Sequence, residues 1–190
     1  MHENHQEEHA WEDFLNGNDN SFDQFYQLLF PKLFNYGMYL TQDKDLVKDC
    51  IQALFIQFWT NRRKSVKIKS IHGYLFKSLR NRLYKQLNIN HDTVFLNQDI
   101  ISNYRRKVEQ PIETTFIYQQ SQEQVKKILG KAFTALTSRQ KEAVYLRFYE
   151  DMSYEDIASL MTFKNPKYAR TIIYRAIESL RKHLDKHLLA

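Results

Sequence analysis

Apolar residues in the first ninety positions recur at spacings of three and four, the period of an amphipathic helix rather than the alternation of a strand. Trp11, Phe14 and Leu15 make a first short stripe that stops at Asn16-Gly17-Asn18. Phe22, Phe25, Tyr26, Leu29 and Leu33 make a second. Within it Pro31 marks a kink or boundary, because its ring removes a donor and clashes with the preceding turn. The third stripe is dense: Leu46, Val47, Cys50, Ile51, Leu54, Phe55, Phe58 and Trp59, ending at Asn61. A basic stretch from Arg62 to Ser70 reads as loop. Helix resumes with Ile71, Leu75, Leu79, Leu83 and Leu87 on one side, opposite Lys77, Arg80, Asn81, Tyr84 and Lys85.

From His91 to about Pro111 the pattern dissolves, which predicts a linker. A second helical block starts near Phe116 and runs through Val125, Leu129, Phe133 and Leu136. The remainder is well punctuated. Thr137 followed by Gln140 fits a capping box, and so does Ser153 followed by Asp156. Asn165-Pro166 places a cap residue and an N1 proline at the head of a third helix. That helix has an apolar face of Ala169, Ile173, Ala176, Ile177, Leu180 and Leu184, with cations and hydroxyls off it. A short helix, a tight turn and a longer cationic helix read as a helix-turn-helix; an ordinary helical hairpin is the plainer alternative.

Composition narrows the fold further. The 190 residues include only 4 Gly and 3 Pro, too few for an all-β sandwich or a phosphate-loop α/β enzyme. The expected architecture is all-α: two small helical domains, residues 1–90 and 116–190, joined by a flexible linker at 91–115. The single cysteine, Cys50, excludes an internal disulfide and reads as a small buried hydrophobe. No apolar run approaches the length of a bilayer span, and the polar, acidic start of the chain is no signal peptide. A cytoplasmic protein is expected.

The net charge of +6 is unevenly distributed. Residues 1–60 carry 3 Lys/Arg against 10 Asp/Glu, whereas residues 61–110 carry 12 against 3. Between Asp49 and Asp92 there is no acidic residue, yet Arg62, Arg63, Lys64, Lys67, Lys69, Lys77, Arg80, Arg82 and Lys85 all fall there. Solvated helix faces mix signs, so this run points to a polyanion, most simply nucleic acid. The alternative is a patch neutralised internally by the acidic N-terminal segment.

With these features in place, ALTSRQKEAVYLRFYEDMSYEDIASLM followed by YARTIIYRAIESLRKHL resembles region 4 of sigma-70 family factors, the dissociable promoter-recognition subunits of bacterial RNA polymerase. DLVKDCIQALFIQFWTNRRK resembles region 2.2, with Asp49, Gln52, Phe55 and Trp59 at the family's positions. IHGYLFKSLRNRLYKQL resembles regions 2.3 and 2.4, including Asn81. Two such domains and a short linker resemble the extracytoplasmic-function (ECF) class, in wording closest to the form common in Bacteroidetes. The chain departs from the pattern at Ala53, where an acidic residue often follows the Gln. It departs again in the turn MTFKNPKYA, which is about one residue longer than usual and lacks the common glycine.

The resemblance implies a division of labour. Asp49, Gln52, Phe55, Phe58 and Trp59 would bind core polymerase at the β′ clamp helices, although at least half of the aromatic rings here are expected to serve the domain's own core. For the minus-ten element, Arg62, Arg63, Lys64, Lys67 and Lys69 would hold phosphates. Tyr74, Phe76, Lys77, Arg80, Asn81 and Tyr84 are candidates for the strand-opening surface, where unpaired bases are captured by stacking and edge hydrogen bonds. Lys167, Tyr168, Arg170, Thr171, Tyr174 and Arg175 would read the minus-thirty-five element as duplex. Arg139 and Arg147 suit phosphate or polymerase contacts, including the β flap. A sigma factor performs no bond chemistry, so no catalytic residue, cofactor or metal is expected. An anti-sigma factor, often membrane-bound, is a further implied partner. The linker leaves the separation of the two domains loosely defined in the free chain, which is expected to be monomeric.

Two rival readings stand beside this one. A self-sufficient helix-turn-helix regulator would use residues 1–110 to sense or dimerise and would bind a palindrome without polymerase. A metal-dependent enzyme could draw on His5 and His9, or His183 and His187, each pair four residues apart. Neither HQEEH nor HLDKH places a glutamate as HExxH requires, and solvated histidines are the simpler reading.

Overall fold

The structure, a computed structural model, describes residues 2–16, 18–61, 68–88, 130 and 132–188. Among them every regular element is a helix: α1 (His2–Leu15), α2 (Asn20–Leu40), α3 (Lys44–Asn61), α4 (Ile71–Gln86), α5 (Ser138–Phe148), α6 (Tyr154–Leu160) and α7 (Pro166–Leu188). The linker at 91–115 and the expected helical start between Phe116 and Leu129 lie outside the described residues.

Helices α1–α4 form a bundle because each has one dense apolar stripe. In α2 the buried residues Phe25, Leu29, Leu33, Tyr36 and Leu40 fall on a single face. In α4 the fourfold repeat Ile71, Leu75, Leu79, Leu83 does the same. Rings fill the space between α1, α2 and α3. Trp11 sits 5.4 Å from both Phe25 and Phe58, and Phe55 lies 4.8 Å from Tyr26, 5.9 Å from Phe22 and 6.0 Å from Phe25. A β-carbon on Gly37 would come within 2.5 Å of Val47 Cγ1, so the glycine sets how closely α2 approaches the start of α3.

Pro31 is neither a break nor a boundary. Helix α2 runs through it, with Pro31 and Gln27, whose carbonyl loses its i+4 donor, both in solvent. Cys50 is a free, buried thiol as expected, and burial raises its pKa.

The C-terminal helices start where the caps predict. Gln140 N–H donates to Thr137 Oγ1 at 3.3 Å, and the Gln140 side chain closes the capping box on the Thr137 backbone. Asp156 N–H donates to Ser153 Oγ at 3.0 Å, and the Ser153 hydroxyl donates in turn to Asp156 Oδ2. Lys167 N–H donates to Asn165 Oδ1 at 2.8 Å, opening α7 at Pro166. In the turn between α6 and α7, Thr162 takes φ 59°, the left-handed conformation usually left to glycine.

The two helical units are packed together, which is not the loose separation expected of the free chain. Helix α6 lies against α4, and one buried core continues from α1–α4 into Ala143, Leu146, Ile157, Leu160 and Ile173. Tyr145 of α5 stacks on Tyr39 of α2 at 4.8 Å. The buried pair Arg80 and Glu142 joins α4 to α5, with Arg80 Nε donating to Glu142 Oε1 at 2.8 Å.

Candidate nucleic-acid interface

Helix α7 presents its N-terminal half outward. Lys167, Tyr168, Arg170, Thr171, Tyr174 and Arg175 are all exposed, the two tyrosines by about 60 %. Ala169, Ile173 and Ala176 turn the opposite way into the core. The side chains assigned to duplex reading therefore share a solvent face beside a short supporting helix, the arrangement that a major groove accepts. Arg170 also lies over the Tyr154 ring at 5.0 Å, and Arg147 lies 5.1 Å from the same ring. Arg147 is partly committed to the fold, since its Nη1 donates to the Met152 carbonyl at 2.7 Å. Arg139 is half-buried and lies 5.9 Å from the Phe163 ring.

The α3 face separates residues that the sequence grouped. Phe55 and Phe58 are buried among rings, whereas Trp59 is 46 % exposed with its inner side against Phe14 and Phe22. Asp49, Gln52 and Trp59 are exposed, and Ile56, which the sequence reading passed over, completes their row at 58 % exposure. The signal was present: 49, 52, 56 and 59 share one helical face. Tyr74 of α4 is exposed and meets Phe58 edge-on at 5.5 Å, so it borders this row.

The opposite side of α4 is only partly open. Asn81 and Lys85 are exposed and Lys77 is half-exposed, but Phe76, Arg80 and Tyr84 are buried. The periodicity that set Arg80 and Tyr84 in solvent is corrected by the docking of α5 and α6. Tyr36 Oη donates to Glu142 at 2.8 Å, the Arg80 guanidinium covers the Tyr84 ring at 4.3 Å, and Lys77 Nζ donates to Ser159 Oγ at 3.1 Å. Burial opposes the charge on Arg80, but Glu142 beside it prevails and raises its pKa; the Tyr36 phenol is also raised, by burial and then by Glu142. Lys69 is exposed, and Arg62, Arg63, Lys64 and Lys67 lie outside the described residues.

Sequence reasoning also missed a second buried cluster. His72 of α4 places Nδ1 2.9 Å from Glu7 of α1 and Nε2 3.9 Å from Glu150 beyond α5. Lys32 of α2 donates to Glu7 at 2.7 Å. Burial raises the Glu7 pKa, but His72 and Lys32 outweigh it and leave the carboxyl below its ordinary value. Counter-charge from the acidic N-terminus thus reaches α4 through Glu7, while Arg80 takes its partner from α5. Of the suggested metal pairs, His9 meets Asp13 at 3.1 Å and His183 meets the Ser179 carbonyl at 2.9 Å.

Residues 126–180, which contain this helix-turn-helix, match the family model for sigma-70, region 4. The ECF RNA polymerase sigma factor SigM of Bacillus subtilis (strain 168) is 20% identical over 162 residues, covering 85% of this chain and 93% of the relative. Residues 126–180 therefore carry a sigma-70 region 4, and the chain is similar over most of its length to an ECF sigma factor. Solved structures agree on the fold. The sigma factor RpoE from Bartonella quintana, solved with the anti-sigma factor NepR, matches with a TM-score of 0.53 at 20% identity over 86% of this chain and 96% of its own. CnrH, solved with the cytosolic domain of CnrY, gives 0.56 at 18% identity over 95% and 98%. No described helix of the chain is long and apolar enough to cross a membrane.

Proposed function

We propose that this chain is an ECF sigma factor that divides promoter initiation among three faces: the α3 row for core polymerase, the open part of α4 for the minus-ten element, and α7 for the minus-thirty-five element. The observation that carries the reading is the outward set on α7. Six polar or aromatic side chains face solvent on a helix whose start is fixed by Asn165 and Pro166. Arg170, Arg175 and Lys167 suit phosphates and base edges, and Tyr168, Thr171 and Tyr174 add hydroxyls.

For the polymerase face the row Asp49, Gln52, Ile56 and Trp59 replaces the original set, with Phe55 and Phe58 supporting it from the core. On α4, Tyr74, Lys77 and Asn81 are the groups in reach of a single strand, with Lys69 exposed just before the helix. The similar RpoE, solved with the anti-sigma factor NepR, supports an anti-sigma partner for this chain, and a membrane-bound one fits the class. Bond chemistry remains with the polymerase.

The test is footprinting on a genomic promoter with and without core polymerase. With core enzyme, both elements are protected and thymines in the minus-ten region react with permanganate. Arg170→Ala weakens duplex minus-thirty-five protection but opens a pre-melted template normally; Asn81→Ala does the reverse. A palindromic footprint from a dimer without polymerase, or equal defects in both variants on pre-melted DNA, refutes the reading.

A further inference from the structure

A cleft runs between α3 and α4 alongside the row assigned to polymerase. Across a cavity of about 400 Å³, Asp49, Cys50 and Ala53 of α3 face Arg82 and Lys85 of α4. Both cations belong to the acid-free stretch, and neither carries a role in the three faces above. Arg82 is turned toward α3, its Nη2 donating to the side-chain oxygen of Gln57, one turn beyond Ala53. That bond orients the guanidinium fork, and an arginine has more donors than one glutamine can use. Lys85 is exposed at the next turn of α4.

The charges of this lining do not balance. Among the described residues Asp49 is its only acid, against two cations. Burial raises the Cys50 pKa, so the thiol stays protonated at neutral pH and adds no charge. A carboxylate at position 53 would answer the excess, but the half-buried residue there is alanine, which fills little of the cleft. Asp49 also stands in the exposed row with Gln52, Ile56 and Trp59, so cleft and row form one continuous surface. We propose that the polymerase-binding surface extends over this cleft onto α4, and that the polymerase helix lying on the α3 row brings an acidic side chain to Arg82 and Lys85. This rests on the assignment of that row to polymerase. A carboxylate matches the arginine fork and supplies from the partner the charge that Ala53 omits. A DNA strand suits the place less well, because its continuous negative charge would meet Asp49 and the apolar surface of Ile56 and Trp59.

The experiment is competition of the full-length chain with a labelled sigma factor for core polymerase, without DNA. Ala53→Glu places a carboxylate beside the two cations and opposes the incoming one, so it is expected to raise Kd about tenfold or more. Ala53→Gln has the same size without the charge and is expected to stay within about twofold of wild type. Arg82→Gln with Lys85→Gln is expected to weaken binding about tenfold and to flatten its dependence on salt. Thermal melting by circular dichroism shows which variants are folded; the two sets lie on facing helices, so either can decide alone. An Ala53→Glu protein that binds as tightly as wild type, or more tightly, refutes the acidic partner. Equal defects in Ala53→Glu and Ala53→Gln refute it too, because bulk rather than charge is then excluded. If the Arg82→Gln, Lys85→Gln form binds core enzyme normally but loses permanganate-reactive thymines on a promoter, the cations hold DNA and the proposal fails. A Trp59→Ala protein that competes as well as wild type refutes instead the polymerase row on which the proposal rests.

Discussion

Phe55 and Trp59 lie one helical turn apart on α3, yet truncating them is expected to damage different properties. Phe55 is 3 % exposed and touches three rings from α2, at 5.9 Å (Phe22), 6.0 Å (Phe25) and 4.8 Å (Tyr26). Phe55→Ala leaves a ring-sized cavity and costs about 3–5 kcal/mol. That is a large share of a small domain's total stability, and at about 4–8 °C per kcal/mol it lowers the melting temperature by on the order of 15 °C or more. Trp59 keeps only its inner side on the protein, 5.5 Å from Phe14 and 4.9 Å from Phe22. Trp59→Ala forfeits ring contacts worth roughly 1 kcal/mol of stability. If Trp59 is a polymerase anchor, the same change costs at least ~2 kcal/mol of binding, about thirtyfold in Kd. Thermal melting by circular dichroism reads the first quantity, and competition with a labelled sigma factor for core polymerase reads the second. A Trp59→Ala protein that melts as early as Phe55→Ala, or that competes as well as wild type, refutes the reasoning.

Two further outcomes follow from local geometry. Thr162 is a β-branched residue at φ 59°, held with its hydroxyl donating to the Met161 carbonyl at 2.7 Å, so Thr162→Gly relieves left-handed strain of about 1–2 kcal/mol and is expected to raise the urea midpoint despite losing that bond. The Glu7 carboxyl is held below its ordinary 4.5 by His72 and Lys32 against the effect of burial, so its contribution is present above that value and is lost as pH falls through the lowered one. Urea midpoints of wild type and Glu7→Gln are therefore expected to differ at neutral pH and to converge once the pH has fallen through that lowered value; a gap that persists in acid assigns the effect to packing instead.

Much of the local architecture can be read directly from the chain, because the interactions that produce it span only three or four residues. The boxes at Thr137 and Ser153, the Asn165-Pro166 start of α7 and the outward set from Lys167 to Arg175 are decided within a helical turn of themselves, and the structure places them accordingly. The apolar repeat of α4 likewise fixes its inner face at Leu75, Leu79 and Leu83. What the period cannot assign is the far side of that helix. Arg80 and Tyr84 look solvated by pattern, and their burial depends on Glu142, 62 residues away from Arg80 in sequence. A polar side chain with a distant partner leaves no periodic trace, because its cost of burial is offset by one specific contact rather than by a row of similar neighbours. Pro31 shows the same limit from the other direction: whether a proline ends a helix depends on whether water can take up the freed carbonyl, and on the open side of α2 it can. The choice among Phe55, Ile56 and Trp59 is also tertiary. All three are apolar and lie within about one turn of α3, and only the placement of α1 and α2 decides which two remain for a partner.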